Sequence, residues 1–338
     1  MKTAIVILNY NTVDYFDKFL PRVIQTCEGI ADVIVADNAS SDNSVSHVKS
    51  HYPQVKVLCS NQNYGFAGGY NFFLKGLEYE YIVLLNTDVE VTDNWLQPML
   101  QLIEQNKQVA AVQPKILSHN NKSDFEFAGA AGGFIDKYGF PFCCGRIFET
   151  VETDHGQYDK NREIFWATGA CMLIRKKLFD QLGGFDQDFF AHMEEIDLCW
   201  RMQNAGYQIY YCSASTVYHV GGGTLAVGTP HKTYLNFRNN LLMLHKNLPA
   251  NKLVTTLLIK MIFDGIAAIM FLVRNGPTHF AAVFNAHIYF YKHCNRRKGI
   301  RAEAQRLIKT NNTKNIFPGS VVFHYYLKKQ RVFNALKW

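Results

Sequence analysis

Three short segments carry side chains able to do chemistry. In Tyr81-Ile-Val-Leu-Leu-Asn86-Thr-Asp88-Val-Glu90 an apolar run ends in polar groups at period two, which places Asn86, Asp88 and Glu90 on one side of an extended chain. Carboxylates at a strand end suit a hard divalent cation, which prefers oxygen donors. In His192-Met-Glu194-Glu195-Ile-Asp197 three acids crowd into four positions. Like charges that close raise at least one carboxyl pKa, and a carboxyl poised near neutrality can take a proton from a hydroxyl. The same acids at a helix start would also complement the helix dipole. In Val217-Tyr-His219-Val-Gly221-Gly-Gly-Thr224 a histidine precedes three glycines. A neutral imidazole there is either a metal ligand or a core residue, beside a backbone free to approach a ligand or to hinge.

The elements that must position these groups follow from hydrophobic patterning. Apolar runs at 4–8, 33–36, 55–59, 81–85 and 110–112 read as strands, and 12–27, 41–51, 68–77 and 93–105 as helices. That alternation predicts an α/β fold with a doubly wound, mostly parallel sheet. Such sheets bind ligands beyond the carboxyl ends of their strands. Asn9-Tyr10-Asn11, Asp37-Asn38-Ala39-Ser40 and Asn86-Thr87-Asp88 stand at those ends. Each alone reads as a turn or cap; three at equivalent places point to a ligand. The spacing predicts a loop-rich insertion over 118–165, then a strand at 170–174, a helix ending near Gly183-Gly184, a helix at 195–205 and a strand at 208–212.

The chain has 338 residues, 48% hydrophobic and 19% charged, a balance that excludes disorder. Its net charge of +7 is the sum of opposed parts: residues 231–338 hold 18 Lys and Arg against Asp264 and Glu303, or +16, which leaves −9 for residues 1–230. We expect a catalytic domain over 1–230 and a helical, basic, apolar region over 231–338. Residues 253–273 are apolar but for Lys260, Asp264 and a few Thr and Gly, and 280–291 are apolar again. The Lys260–Asp264 pair, one turn apart and mutually neutralising, favours an interfacial or core-packed helix over a bilayer span. Asn295-Arg296-Arg297-Lys298-Gly-Ile-Arg301 suits anionic lipid headgroups or a solvated face. No segment reads as a nucleic-acid-binding motif. The eight cysteines, without a CxxC pair, read as free thiols in a reducing compartment. Met1-Lys2-Thr3 runs straight into a strand, so no secretory leader is expected.

The order Ile5-Val-Ile-Leu-Asn-Tyr-Asn11, Val35-Ala-Asp37-Asn-Ala-Ser-Ser-Asp42, Asn63-Tyr-Gly65-Phe-Ala-Gly68-Gly-Tyr-Asn71 and Leu84-Leu-Asn-Thr-Asp88 resembles glycosyltransferase family 2. Gly183 to Arg201 and Val217-Tyr-His219 are similar to its rhamnosyltransferase-like members. The resemblance covers about residues 3 to 240. It implies a GT-A nucleotide-sugar-binding fold and an inverting, metal-dependent transfer from a dTDP- or UDP-sugar to a glycan or lipid-linked glycan in polysaccharide synthesis. Asn9, Tyr10, Asn11 and Asp37 would contact the donor's base and ribose; Asn63, Gly65 and Asn71 would shape its pocket. Asp88 would hold Mg²⁺ or Mn²⁺ with His219, and Glu195 would be the base. Asn86 stands where the family has its first DXD acid, and Glu194-Glu195 where the pair ends in Asp. Trp166, Gly169, His192 and Glu194 would face the acceptor, and Arg238 would counter the diphosphate. The implied setting is cytoplasmic, peripheral to the inner face of the plasma membrane, with a homo-oligomer possible. Alternatives are transfer of galactofuranose, galactose or N-acetylhexosamine from a UDP donor, or an inactive nucleotide-sugar-binding scaffold.

Overall fold

The central strand β1 (Thr3–Asn9) is almost wholly apolar and Ala4 to Ile7 are at most 3% exposed, as a strand covered on both faces requires. It opens the order α1 (Val13–Cys27), β2 (Asp32–Asp37), α2 (Ser44–His51), β3 (Lys56–Cys59), α3 (Gly65–Leu74), β4 (Tyr81–Asn86), β5 (Val89–Val91), α4 (Leu96–Gln105) and β6 (Val109–Ser118). The computed structural model describes residues 2–221, 228–310 and 314–338, so Gly222, Gly223 and Thr224 of the glycine run lie outside the described residues.

Beyond β6 come β7 (Gly133–Asp136), β8 (Pro141–Cys143), β9 (Arg146–Ile147), β10 (Thr150–Val151), β11 (Arg162–Ile164), β12 (Cys171–Arg175), α5 (Lys176–Gln181), α6 (Glu194–Asn204) and β13 (Gln208–His219). The main sheet runs β11-β13-β6-β12-β4-β1-β2-β3, with β5 paired to β13. Its parallel part is β4-β1-β2-β3 together with the β6–β13 pair; β12 runs antiparallel between β4 and β6, so the sheet is mixed. Alternate residues of β1 face two cores. Ile5 and Ile7 belong to the cluster that holds Phe16 and Leu20 of α1 and Met99 of α4. Ala4 and Val6 belong to the one that holds Tyr70 of α3 and Leu198 of α6.

Residues 118–165 depart from the loop expected there. Strands β7 to β10 build a second sheet, order β10-β9-β8-β7-β14. Strands of two to four residues are too short to show periodicity, and only the glycines between them are visible in the sequence.

The C-terminal region holds α7 (Pro230–Asn247), α8 (Ala250–Asn275), α9 (Pro277–His293), α10 (Lys298–Arg306), β14 (Ile316–Phe317) and α11 (Val321–Tyr326). It shares the core with what precedes it: β14 pairs parallel with β7, and Leu241 to Leu244 and Phe317 lie in one apolar cluster with Phe134 and Tyr211. Asp136 at the end of β7 accepts the backbone N–H of Tyr138, Phe140 and Val321, all at 2.9 Å, tying α11 to the second sheet.

The basic cluster at 295–301 is not wholly a solvated or headgroup-facing patch. Arg297 is buried and paired with Asp186 and Asp188. Arg301 donates to the carbonyl of His245. A buried guanidinium needs carboxylate partners, and the acidic part of the chain supplies them.

Candidate active site

The carboxyl ends of β1, β2 and β4 lie side by side: Asn9 pairs in register with Asp37, and Leu8 with Asn86. Asn9 is fully buried, and its Nδ2 donates to Asp37 Oδ1 at 2.7 Å and to Ser40 Oγ at 3.0 Å. Asp37 also accepts the Ser40 N–H at 3.0 Å. These bonds clamp the turn after β2, leaving Tyr10 and Asn11 exposed at the rim. Asn11 Oδ1 receives the Ser41 N–H at 2.7 Å.

Asn63 Oδ1 accepts from Asn38 Nδ2 at 3.0 Å and from the Gly65 N–H at 2.8 Å. Gly65 has φ +70°, and a Cβ there would sit 2.5 Å from the Phe190 ring, so only glycine fits. The Phe190 carbonyl receives the N–H of Phe66 and Ala67, docking the loop before α6 on the start of α3. Asn71 fastens the same region, its amide exchanging bonds of 2.8 and 2.9 Å with the Phe185 backbone.

The chain turns at Thr87-Asp88 before β5 begins, which breaks the period-two alignment expected through Glu90. Glu90 pairs instead with His119 at 2.8 Å and Lys122 at 2.7 Å. Asp88 is buried, and its Oδ1 lies 3.1 Å from His219 Nε2 at the end of β13. The other ring nitrogen, Nδ1, lies 3.4 Å from Glu126 Oε2. Burial opposes a charged imidazole, yet hydrogen bonds to Asp88 and Glu126 raise the His219 pKa to about 10. Burial likewise opposes charge on Asp88, and its bond to His219 outweighs that, holding its carboxyl below the ordinary range.

This is a place built for positive charge. An oxygen donor on Asp88 and a nitrogen donor on His219 converge in a buried setting, which fits a divalent cation. Among the described residues no group of three His, Cys, Asp or Glu forms a ready cation cage. A cation held by two side chains would need its remaining ligands from elsewhere.

The second of the three segments, His192 to Asp197, enters α6 through a contorted loop: Phe190, His192 and Met193 all have positive φ, at 64°, 71° and 72°. Such strain persists only where the surroundings enforce it. They do so from α7. Asn239 Nδ2 donates to the carbonyls of Phe189, Ala191 and His192 at 2.9, 2.8 and 2.8 Å, and Arg238 donates to those of Asp188 and Phe189 at 2.8 and 3.0 Å. The loop delivers Glu194 and Glu195, each with a buried Oε2 lacking a partner, and His192 with an unpartnered Nε2. Burial raises the Glu195 pKa to about 7, and burial together with the Glu195 charge raises that of Glu194. Burial and the nearby Lys232 and His231 lower His192 to about 4, so its ring is neutral.

Asp197 is no part of this opening. It is fully buried and bonds to Arg201 at 2.9 Å, Lys246 at 2.9 Å and Asn247 at 2.7 Å. Burial would raise its pKa, but Arg201 and Lys246 hold it at about 2.

Two expected contacts are corrected by the structure. Arg238 spends its guanidinium on loop carbonyls, between the rings of Tyr234 and Tyr289, and is not free for a diphosphate. Trp166 is 5% exposed, its indole N–H donating to Phe134 at 3.0 Å, with Gly133 packed on its face; it is core, not an acceptor platform. Gly169 is needed where Phe66 approaches, since a Cβ would lie 2.8 Å from that ring. Sequence reasoning missed Glu126 and Asn239; Asn38 it reached only as part of the segment after β2. Asn239 stands next to Arg238, so proximity was a signal for it. Glu126 comes to the site through its backbone bond to Ile116, which no local pattern announces.

Residues 4–183 match the family described as Glycosyl transferase family 2. The low-salt glycan biosynthesis hexosyltransferase Agl10 of Haloferax volcanii is 26% identical over 248 residues, 71% of this chain and 74% of that one. The N-acetylglucosaminyl-diphospho-decaprenol L-rhamnosyltransferase of Mycobacterium tuberculosis is 24% identical over 235 residues, 65% and 76% of the two chains. Among solved structures, the mannosyltransferase PcManGT of Pyrobaculum calidifontis, in complex with GDP-Man and Mn²⁺, superposes with a TM-score of 0.52 at 14% identity, over 90% of this chain and 85% of that one. That is a likeness of fold.

Proposed function

The chain belongs to glycosyl transferase family 2, with a GT-A α/β fold and rhamnosyltransferase-like relatives, and from that premise we propose an inverting, metal-dependent transfer of a sugar, rhamnose first, from a dTDP- or UDP-sugar to a lipid-linked glycan at the cytoplasmic face of a membrane. The reading is supported above all by the buried Asp88–His219 pair, together with a Glu195 carboxyl whose buried Oε2 has no partner.

In this reading the donor's base and ribose rest on the rim formed by Tyr10 and Asn11, which the buried Asn9–Asp37 pair supports from beneath, and Asn63, Gly65, Asn71 and Asn86 shape the pocket behind. Mg²⁺ or Mn²⁺ on Asp88 and His219 would offset the charge that develops on the departing diphosphate. Glu126, 3.4 Å from the far nitrogen, would orient the His219 ring and leave Nε2 to hold the cation with Asp88. Glu195 takes the proton of the acceptor hydroxyl as that oxygen bonds to the anomeric carbon and the carbon–diphosphate bond breaks on the opposite face. Glu194 and neutral His192 flank the base on the acceptor side.

The test is release of nucleoside diphosphate from dTDP-rhamnose and UDP-sugars in the presence of acceptor, with Mn²⁺ and with EDTA. Release that EDTA abolishes is expected. Glu195→Gln lowers kcat by about 10²- to 10⁴-fold, the usual worth of a general base, while the donor still raises the melting point. Wild-type turnover in that variant would remove Glu195 from the role.

A further inference from the structure

We propose that α8 and α9 form an in-plane membrane anchor, a helical hairpin whose outer apolar face lies in one leaflet of an anionic bilayer. The proposal deepens the function above and rests on it for the lipid-linked acceptor. Its own support is the inverted polarity of α8. The line of α8 that faces the protein is Thr256, Lys260, Asp264 and Ala268, one turn apart. Lys260 pairs with Asp264, which also meets His287 of α9 at 3.0 Å. The outward line is Val254, Leu258, Ile262, Ile266, Ile269 and Val273, between 52% and 82% exposed. A helix on a water-soluble body buries its apolar stripe and shows its charges. Here the charges are inside and the stripe outside, and Phe280 and Phe284 of α9 are also exposed, at 37% and 60%. Exposed apolar surface of that continuity marks a contact.

The partner is lipid, on two grounds. First, every exposed charge on the hairpin is basic: Lys252, Arg274 and Lys292 are exposed, and Asp264, its one acid, is buried. That pattern complements anionic headgroups, whereas a second copy seated on this face would set like charges against each other. Second, the hairpin is held side-on. By length and composition α8 is able to cross a bilayer, with 26 residues and a mean hydropathy of 2.1 in its most apolar window. Its inner side, however, rests against the protein at two places: the Phe263 ring lies 5.8 and 5.5 Å from Tyr138 and Phe140, and the Phe271 ring 6.1 Å from Phe237 of α7. A helix so attached lies in the interface plane.

The experiment is flotation of the full chain with phosphatidylglycerol-containing vesicles and with phosphatidylcholine alone. The expected result is flotation with the anionic vesicles, at least tenfold weaker on phosphatidylcholine. Ile262→Glu/Ile266→Glu lowers it at least tenfold, while UDP or dTDP with Mn²⁺ still raises the melting point, which shows the variant folded. A second variant, Ile266→Trp, keeps flotation and its fluorescence is quenched by brominated lipid chains. The anchor is overturned by a wild-type chain that stays unbound, by a double-Glu variant that floats like wild type, or by light scattering that finds a dimer which the double-Glu change dissociates while vesicle binding persists. A chain that fails to float yet responds to nucleotide overturns the anchor alone; one that floats without nucleotide response overturns the transferase reading alone.

Discussion

At the scale of single residues, the acids announced themselves because crowding is local. Glu194 and Glu195 are adjacent in sequence, and adjacency at a helix start dictates their mutual repulsion whatever the fold. Glu126 could not be read in the same way, because its place beside His219 is made by strand pairing far along the chain. Arg238 was legible as a cation but not as a donor to carbonyls, since charge alone does not say which acceptor it meets. The burial of Glu195 has a consequence for pH. With its pKa raised to about 7, the base is protonated below that value, so kcat/KM climbs with pH and levels off above it. Stability runs the other way. A folded-state pKa raised above the ordinary 4.5 gives a contribution complete below that value and lost as pH rises through about 7. Melting points and kcat/KM measured from pH 5 to 9 should therefore cross in opposite directions, and Glu195→Gln should flatten the part of the melting curve due to this group.

At the scale of elements, the central strands were legible because a strand buried on both faces is a continuous apolar run, and the helices between them because their apolar residues recur at helical spacing. The second sheet was not, and neither was the job of α7. That helix holds the loop before α6 in its unusual backbone through five bonds from Arg238 and Asn239 to carbonyls. Removing the Asn239 amide takes the donor from the Ala191 and His192 carbonyls, at about 1–3 kcal/mol each, while Arg238 still serves Phe189. Asn239→Ala should lower the melting point by several degrees. It should also lower kcat more than it weakens nucleotide binding, since the loop places the base rather than the donor. Calorimetry and initial rates check both, and an unchanged kcat would free the loop from the role of placing Glu195.

At the scale of the whole molecule, the opposed charges of the two parts meet in the interior. Asp186 and Asp197 from the acidic part face Lys246 and Arg297 from the basic part, with Lys246 3.1 Å from the first and 2.9 Å from the second. Composition foretold the asymmetry but not the closure, because a count of charges carries no contact. Breaking a buried pair strands a charge, so Lys246→Met should cost about 3–5 kcal/mol. Urea unfolding measures it. The sign for Asp197 follows from its depressed pKa: its contribution is full above the ordinary 3.8 and is lost as pH falls through about 2, a dependence the Lys246→Met chain should show more weakly.

Helix α7 touches both ends of the machine. Phe237 meets Phe271 of the α8–α9 hairpin, and Asn239, two residues and about 200° further round the helix, grips the loop that carries Glu195. On the proposed anchoring, this one helix would set the height of Glu195 above the lipid surface, as a caliper would.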